Sequence, residues 1–188
     1  MRSGQRLNTK RSAMTHRAGS SPNLRIRPAT IDDAETIHAA ILGIGEAVEG
    51  LHKVKSTLDD MRRYGFGPKP AFEALIAEVD GDFAGLCLFF PSFSTWQGRP
   101  GVYVQDLFVA TEFRGFGIGE KLLRRLAAKT RERGGRYIRL SVDTGNLRAQ
   151  VFYERLGLRR SDTEHIHAAY RADFDALADA GDHEEDAS

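Results

Sequence analysis

Tyr103-Val104-Gln105-Asp106-Leu107-Phe108-Val109, followed four residues on by Arg114-Gly115-Phe116-Gly117-Ile118-Gly119-Glu120, is the stretch on which the fold turns. The first run is Val-rich and aromatic and reads as a strand over 103–109. The second opens a helix over 117–133, with Ile118, Leu122, Leu126 and Thr130 on one side. Glycines between a strand and a helix let backbone N–H groups approach an anion closely, and the helix N-terminus adds roughly half a positive charge. Such a turn is a phosphate cradle. A dinucleotide fingerprint starting at Gly115 would need glycine where Glu120 stands, and the Gly-Lys-Ser/Thr of a Walker loop is missing. Glycine-rich turns also arise for packing alone, so the isolated pattern leaves both readings open.

Outward from this stretch, the chain reads β-α-α-β-β-β-α-β-α-β, an α/β domain with a central mixed sheet. A short strand over 24–27 stops at Pro28. Thr30 and Asp33 then offer a capping box for a helix over 31–44, with Ile31, Ala34, Ile37, Ile41 and Ile44 at helical spacing. Gly43, Gly45 and Gly50 interrupt the next segment, whose Glu46, Glu49, His52 and Lys53 either line a substrate site or form a solvated loop. Ser56 and Asp59 start a short helix that ends at Gly65-Phe66-Gly67-Pro68. Strands over 72–79 and 83–90 flank Asp80-Gly81, a hairpin signal. A loop over 92–101 holds Trp96. Beyond the long helix come a strand over 137–142, a helix over 147–156 and a closing strand over 165–170.

At 188 residues, 41% hydrophobic and 28% charged, the chain has apolar mass for one ordinary domain. Its longest apolar run, 86–91, falls far short of the roughly 20 residues of a membrane-crossing helix, so no membrane partner is expected. The 27 basic and 26 acidic residues are unevenly placed. Residues 1–22 carry five basic groups and no acid, and 171–188 carry Arg171 against seven acids. The head resembles a transit peptide in composition, or precedes a natural start at Met14; it is read here as a disordered basic head, and 173–188 as a fraying acidic tail. Five basic residues without interleaved aromatics give only a salt-sensitive contact, so no specific nucleic acid is expected. Cys87 is the only cysteine, set in an apolar run, and reads as a buried structural thiol in a reducing, cytoplasmic compartment. No His/Cys cluster has metal-ligand spacing, so no metal is implied.

Arg114-x-x-Gly117-x-Gly119 matches the R/Q-x-x-G-x-G/A motif of the GCN5-related N-acetyltransferases, the GNAT superfamily. About 30 residues later, Asn146-x-x-Ala149-x-x-Phe152-Tyr153-x-x-x-Gly157-Leu158 resembles their second motif. Within that superfamily the chain is most similar to the diamine (spermidine/spermine) and thialysine N-acetyltransferases. The similarity lies in Ile26-Arg27-Pro28-Ala29-Thr30, Gly65-Phe66-Gly67, Ile76-Ala77-Glu78-Val79 and, above all, the run from Tyr103 to Gly119. The resemblance implies a GNAT fold over 23–172: a mixed, mostly antiparallel sheet of six to seven strands with about four helices, splayed between strands four and five. It implies acetyl-CoA as cosubstrate, a small-molecule amine as acceptor, and a homodimer. By carry-over, backbone groups of Leu107, Phe108 and Val109 hold the pantetheine and polarise the thioester carbonyl. Arg114, Gly115, Phe116, Gly117, Ile118, Gly119 and Glu120 receive the pyrophosphate, and Asn146 and Ala149 belong to the cofactor site. Tyr153 matches the family's general acid. A phenol suits protonation of a thiolate whose conjugate acid has a pKa near 8.5.

The chain departs from the diamine enzymes at the substrate. They carry Glu-Asp where this sequence has Gln105-Asp106, and glutamine offers neither charge nor useful basicity. The acidic loop residue before their tryptophan aligns with Ser94, two before Trp96, and one late carboxylate aligns with His165, although Glu164 beside it keeps an acid. Gln105, Trp96, Glu49, Glu164 and His165 are therefore the candidate substrate-binding residues. Asp106 ranks first as proton acceptor, ahead of Glu46, Glu49, His52, Glu164 and His165. A base is dispensable if the amine loses its proton to a water chain on desolvation. The expected activity is direct transfer of acetyl to a primary amine less cationic than spermidine, in a ternary complex. The alternatives are a protein or peptide N-acetyltransferase and a catalytically weak acyl-CoA sensor.

Overall fold

The computed structural model describes residues 22–185, and the chain divides into two compact units, Met1–Ser141 and Val142–Ser188. The disordered head expected over 1–22 lies, apart from Pro22, outside the described residues. In the first unit, β1 (Leu24–Pro28), β2 (Glu73–Val79), β3 (Asp82–Ser94) and β4 (Arg99–Val109) pair antiparallel in chain order. β5 (Ile138–Leu140) adds to β4 in parallel, closing a five-stranded sheet. A parallel neighbour requires a crossover, and α3 (Ile118–Glu132) supplies it.

Both faces of the sheet are covered. α1 (Ala34–Ala47) and α2 (Leu58–Phe66) pack Ala34, Ile37, Ala40 and Met61 on Ala74, Ile76, Leu86 and Leu88. Alternation sends Leu75, Gly85, Cys87 and Phe89 to the other face, where Leu122 and Leu126 of α3 are fully buried. A sheet covered on both sides reads as continuous apolar runs, which β2 and β3 do.

Arg27 ties the entry of α1 to the sheet. Its guanidinium donates to both carboxylate oxygens of Asp33 at 2.7 and 2.8 Å, and its Nε donates to Glu78 at 2.8 Å. Asp33 also accepts the Thr30 N–H at 2.7 Å, completing the capping box seen in the sequence. The first turn is a 3-10 turn, Ile31–Asp33, before α1 proper.

Several boundaries differ from the sequence reading. α1 continues past 44 to Ala47, through Gly45, which serves packing: a Cβ there would stand 2.8 Å from the Val54 side chain and 3.2 Å from the Leu51 backbone. α2 starts one residue late, capped by Thr57 and Asp60 rather than Ser56 and Asp59; the Thr57 hydroxyl accepts the Asp60 N–H at 3.2 Å. The loop expected over 92–101 is mostly ladder, with Ser92 opposite Gly101 and Ser94 opposite Arg99, leaving 95–98 as the turn. Its Ser and Pro content hid a pairing that tertiary contacts hold, among them Ser92 Oγ to Tyr137 Oη at 2.8 Å. The strand expected over 137–142 shrinks to three residues.

In the second unit, α4 (Leu147–Arg155) begins where Asn146 Oδ1 accepts the Ala149 N–H at 3.1 Å, the cap anticipated from sequence. The closing strand expected over 165–170 is absent: those residues pair with no strand among the described residues, and alternation without a ladder partner does not make a strand. This is why the sheet has five strands rather than six to seven. In the expected acidic tail, α5 (Ala172–Glu185) is helical. Among the described residues no helix is long and apolar enough to cross a membrane.

The Arg27 hydrogen bonds hold the Asp33 carboxyl below the usual carboxylate range. A carboxylate with a lowered folded pKa stabilises the fold above its unfolded value and loses that contribution as pH falls through the folded one. Asp33→Asn should cost about 1–3 kcal/mol at neutral pH, and the gap to wild type should close only in acid below the ordinary carboxylate range. Urea denaturation across pH checks both.

Candidate active site

β4 is paired along nearly its whole length on one side and over only three residues on the other. Toward β3 the ladder extends from Ser94 opposite Arg99 to Gly85 opposite Val109. Toward β5 it covers only Val102, Tyr103 and Val104, opposite Ile138, Arg139 and Leu140. From Gln105 onward the β5-side edge of β4 is therefore open. An open strand edge presents N–H and C=O groups that need partners, so Leu107, Phe108 and Val109 sit on a strip able to hydrogen-bond an extended ligand.

A β-bulge starts the opening. Phe89 faces Val104 and Leu88 faces Asp106, so Gln105 has no residue opposite it. The bulge resets alternation. Asp106 shares the face of Leu88 and Phe108, toward α1, while Leu107 lies with Cys87 on the α3 face. Gln105 is exposed. Without the bulge Asp106 would point among the α3 contacts; with it, Asp106 joins Tyr103 on the α1 side, Tyr103 lying opposite Phe90 with the rings stacked at 5.1 Å.

Asp106 is half-buried and accepts no hydrogen bond among the described residues, and burial raises its pKa above the ordinary carboxylate value. A desolvated carboxylate without donors is a stronger base than one in water. On the opposite face of the sheet, in β3, burial chiefly, with the Asp106 charge adding to it, pushes the Cys87 thiol up to about 12. Cys87 is thus a neutral core thiol, as the sequence suggested, and not a nucleophile.

After Val109 a 3-10 turn, Thr111–Phe113, buries Phe113, and Arg114 Nε donates back to the Val109 carbonyl at 3.1 Å. Gly115 and Gly117 have φ of +87° and +73°, which L side chains rarely adopt, and an added Cβ at either would meet nothing within 4 Å. The turn is glycine-rich because of its backbone shape, and the space before it is open. Gly117 is the N-cap of α3 and no side chain caps that end, so its first N–H groups are available to an anion. Glu120 is held along the helix by Arg124 at 2.8 Å. Ile118 and Gly119 are buried in the first turn, and Phe116 is exposed.

Within the second unit, Asn146, Ala149 and Tyr153 follow at spacings of three and four and so share one side of α4. The half-buried Tyr153 ring is held edge-on by Phe152 at 5.1 Å. Glu164 and His165 are exposed in the segment between α4 and α5. In the first unit, Glu49 is exposed after α1 with a φ of +53°, and Trp96 stands 97% exposed in the turn of the β3–β4 hairpin. No hydrogen bond, ion pair or ring contact among the described residues joins Glu49 or Trp96 to the β4 opening. Sequence reasoning missed one pair: Tyr103 Oη and Ser141 Oγ, 2.6 Å apart, bridge β4 and the end of β5 where the ladder stops. An ordinary alternating tyrosine carries no signal of such a bridge. Among the described residues no group of His, Cys, Asp and Glu is arranged to hold a metal ion.

The sequence profile of the acetyltransferase (GNAT) family matches residues 46–158, which span the open strand edge, the glycine turn and α4. The chain belongs to the GNAT acetyltransferase family. It is 34% identical over 140 residues to the thialysine N-epsilon-acetyltransferase of Bos taurus, covering 70% of this chain and 82% of that one. It is 29% identical over 106 residues to an L-ornithine N5-acetyltransferase of Arabidopsis thaliana, covering 56% and 43%. An integron cassette protein from the mobile metagenome of V. cholerae has the same fold, with a TM-score of 0.70 at 18% identity over 82% of this chain and 97% of that one. The protein is therefore an acetyltransferase, of a family that uses acetyl-CoA as cosubstrate, and its open β4 edge and uncapped α3 suit a long ligand with a pyrophosphate.

The raised thiol pKa gives a direct chemical test of this acetyltransferase. Cys87 should resist iodoacetamide in the native protein at pH 8 and become alkylated once urea unfolds it, which mass spectrometry would read.

Proposed function

We propose that this acetyltransferase transfers the acetyl group of acetyl-CoA directly to a primary amine of a small molecule less cationic than spermidine. The observation that carries the reading is the open edge of β4 running into an uncapped helix N-terminus, with a desolvated carboxylate on the strand. The first N–H groups of α3 and the backbone of the turn from Arg114 to Glu120 receive the pyrophosphate. Edge groups of Leu107, Phe108 and Val109 hold the pantetheine and polarise the thioester carbonyl. Asn146 and Ala149 complete the cofactor site from α4.

Asp106 takes the ammonium proton of the acceptor, directly or through water, leaving a neutral amine. The nitrogen then attacks the thioester carbon, the C–S bond breaks, and the Tyr153 phenol protonates the departing thiolate. The products are an N-acetyl amine and CoA. Gln105, exposed at the bulge, brings no charge to the acceptor, and neither does Ser94. A doubly or triply charged polyamine lacks counter-charges there. Thialysine and ornithine are amino acids whose carboxylate lowers their net charge, in keeping with this reading. Trp96, Glu49, Glu164 and His165 contribute to the acceptor side, and the enzyme works as a cytoplasmic homodimer.

Tyr153→Phe should lower kcat about 100-fold or more with little change in the acetyl-CoA KM, measured by release of free thiol. An unchanged kcat would remove Tyr153 as the acid. Asp106→Asn should slow turnover without loss of stability above pH 6, since it deletes a buried charge that has no partner; the wild-type rate should fall in acid at a pKa above that of an ordinary carboxylate. Gln105→Glu should shift kcat/KM toward spermidine relative to amino-acid amines. If an amine panel ranks identically for the variant, this position does not set the substrate class.

A further inference from the structure

An open cavity of about 450 Å³ lies between α3 and the segment entering β5, away from the glycine turn. Arg124, Ala127, Ala128 and Arg131 line it from the helix, and Arg136, Tyr137 and Ile138 from the segment entering β5. Its position is set by topology. β4 ends at the glycine turn, and a parallel β5 begins at the opposite end of the sheet. α3 connects the two, so Ala127 lies about 15 Å along the helix from Gly117. The N–H of Arg136 bonds the carbonyl of Pro100, near the start of β4, at 2.8 Å.

Three features point to a ligand. Arg124, Ala127, Ala128 and Arg131 recur at helical spacing, and the two alanines leave a trough between the two arginine stems. Among the arginines of the lining, Arg124 is paired with Glu120, whereas the nearby Glu132 pairs with Arg125 and Glu73 with Lys129 and Arg133, outside the lining. The guanidinium groups of Arg131 and Arg136 have no hydrogen-bond or ion-pair partner among the described residues, so two of the three arginines lining the cavity carry planar forks without a counter-charge. Finally, the aromatic wall is rigid. The Tyr137 ring lies so close to Gly101 that an added Cβ would stand 2.6 Å from it, and its hydroxyl is fixed on Ser92 at 2.8 Å.

Guanidinium forks match phosphate oxygens in geometry as well as charge. An alanine floor beside a fixed tyrosine favours a flat apolar body, and the volume falls within the range of small-molecule sites. We propose that this cavity is a second ligand site, binding a phosphate monoester attached to a flat ring, of nucleotide size, with Arg131 and Arg136 on the phosphate. The site is separate from the turn assigned to the acetyl-CoA pyrophosphate and does not depend on that assignment.

The test is calorimetric titration of the full chain with adenosine 5′-monophosphate in the presence of excess CoA, which occupies any site shared with the cosubstrate. The expected result is saturable binding near one per chain, weakened about tenfold or more in Arg131→Ala/Arg136→Ala at an unchanged melting temperature. Both arginines are exposed, so the substitutions leave the core intact. Arg131→Lys/Arg136→Lys, which keeps the charge and loses the forks, should also bind more weakly. Absence of saturable binding under excess CoA, or equal binding by wild type and either variant, overturns the proposal. Inorganic phosphate binding as tightly as the nucleotide overturns the role of the ring surface. Preferential binding of duplex DNA or an acidic peptide through the same arginines overturns it in favour of a macromolecular partner.

Discussion

The site depends on the unequal pairing of one strand. β4 is satisfied along its length by β3 but by β5 only as far as Val104, and the bulge at Gln105 falls where the second ladder stops. Had β5 continued beside β4, the edge groups of Leu107, Phe108 and Val109 would bond to protein and none would remain for a ligand. Had the bulge been missing, Asp106 would face α3. The end of one ladder thus sets where the strand edge opens, and one extra residue beside it sets which side of the sheet holds the carboxylate.

The neighbours of β4 make this arrangement rigid. α1 approaches it closely at Gly43, whose missing side chain accommodates the Phe108 ring, and Arg27 fixes the entry to α1 by binding Asp33 and Glu78 together. At the mouth, the Tyr103–Ser141 hydrogen bond spans the last paired position, and Phe90 backs the tyrosine. Pre-organised positions of this kind are what a reaction needs when the protein must align two substrates and supply little covalent chemistry.

Charge is arranged by location rather than amount. The chain as a whole is nearly neutral. At the bulge the exposed residue is the uncharged Gln105, while on α3 Arg131 has no ion-pair partner among the described residues. Both follow from which face of an element each charged residue occupies.

Much of this was legible in the sequence. The order of the first nine strands and helices, the Asp80-Gly81 hairpin, the capping box at Thr30 and Asp33, the Asn146 cap and the buried Cys87 all follow from local chemistry, because turn, cap and alternation signals are properties of a few adjacent residues. The glycine turn and the α4 motif identified the family for the same reason. What sequence patterns misread were elements whose existence depends on a distant partner: the ladder through 92–101, the shortness of β5, the helix continuing past 44 through Gly45, and the strand over 165–170 that has no strand to pair with. The end of the β4–β5 ladder, the face taken by Asp106, the Tyr103–Ser141 bridge and the cavity beside α3 were decided by tertiary structure alone. Each is a relation between segments far apart in the chain, and local propensity holds no record of which backbone edge is left unpaired once the sheet has formed.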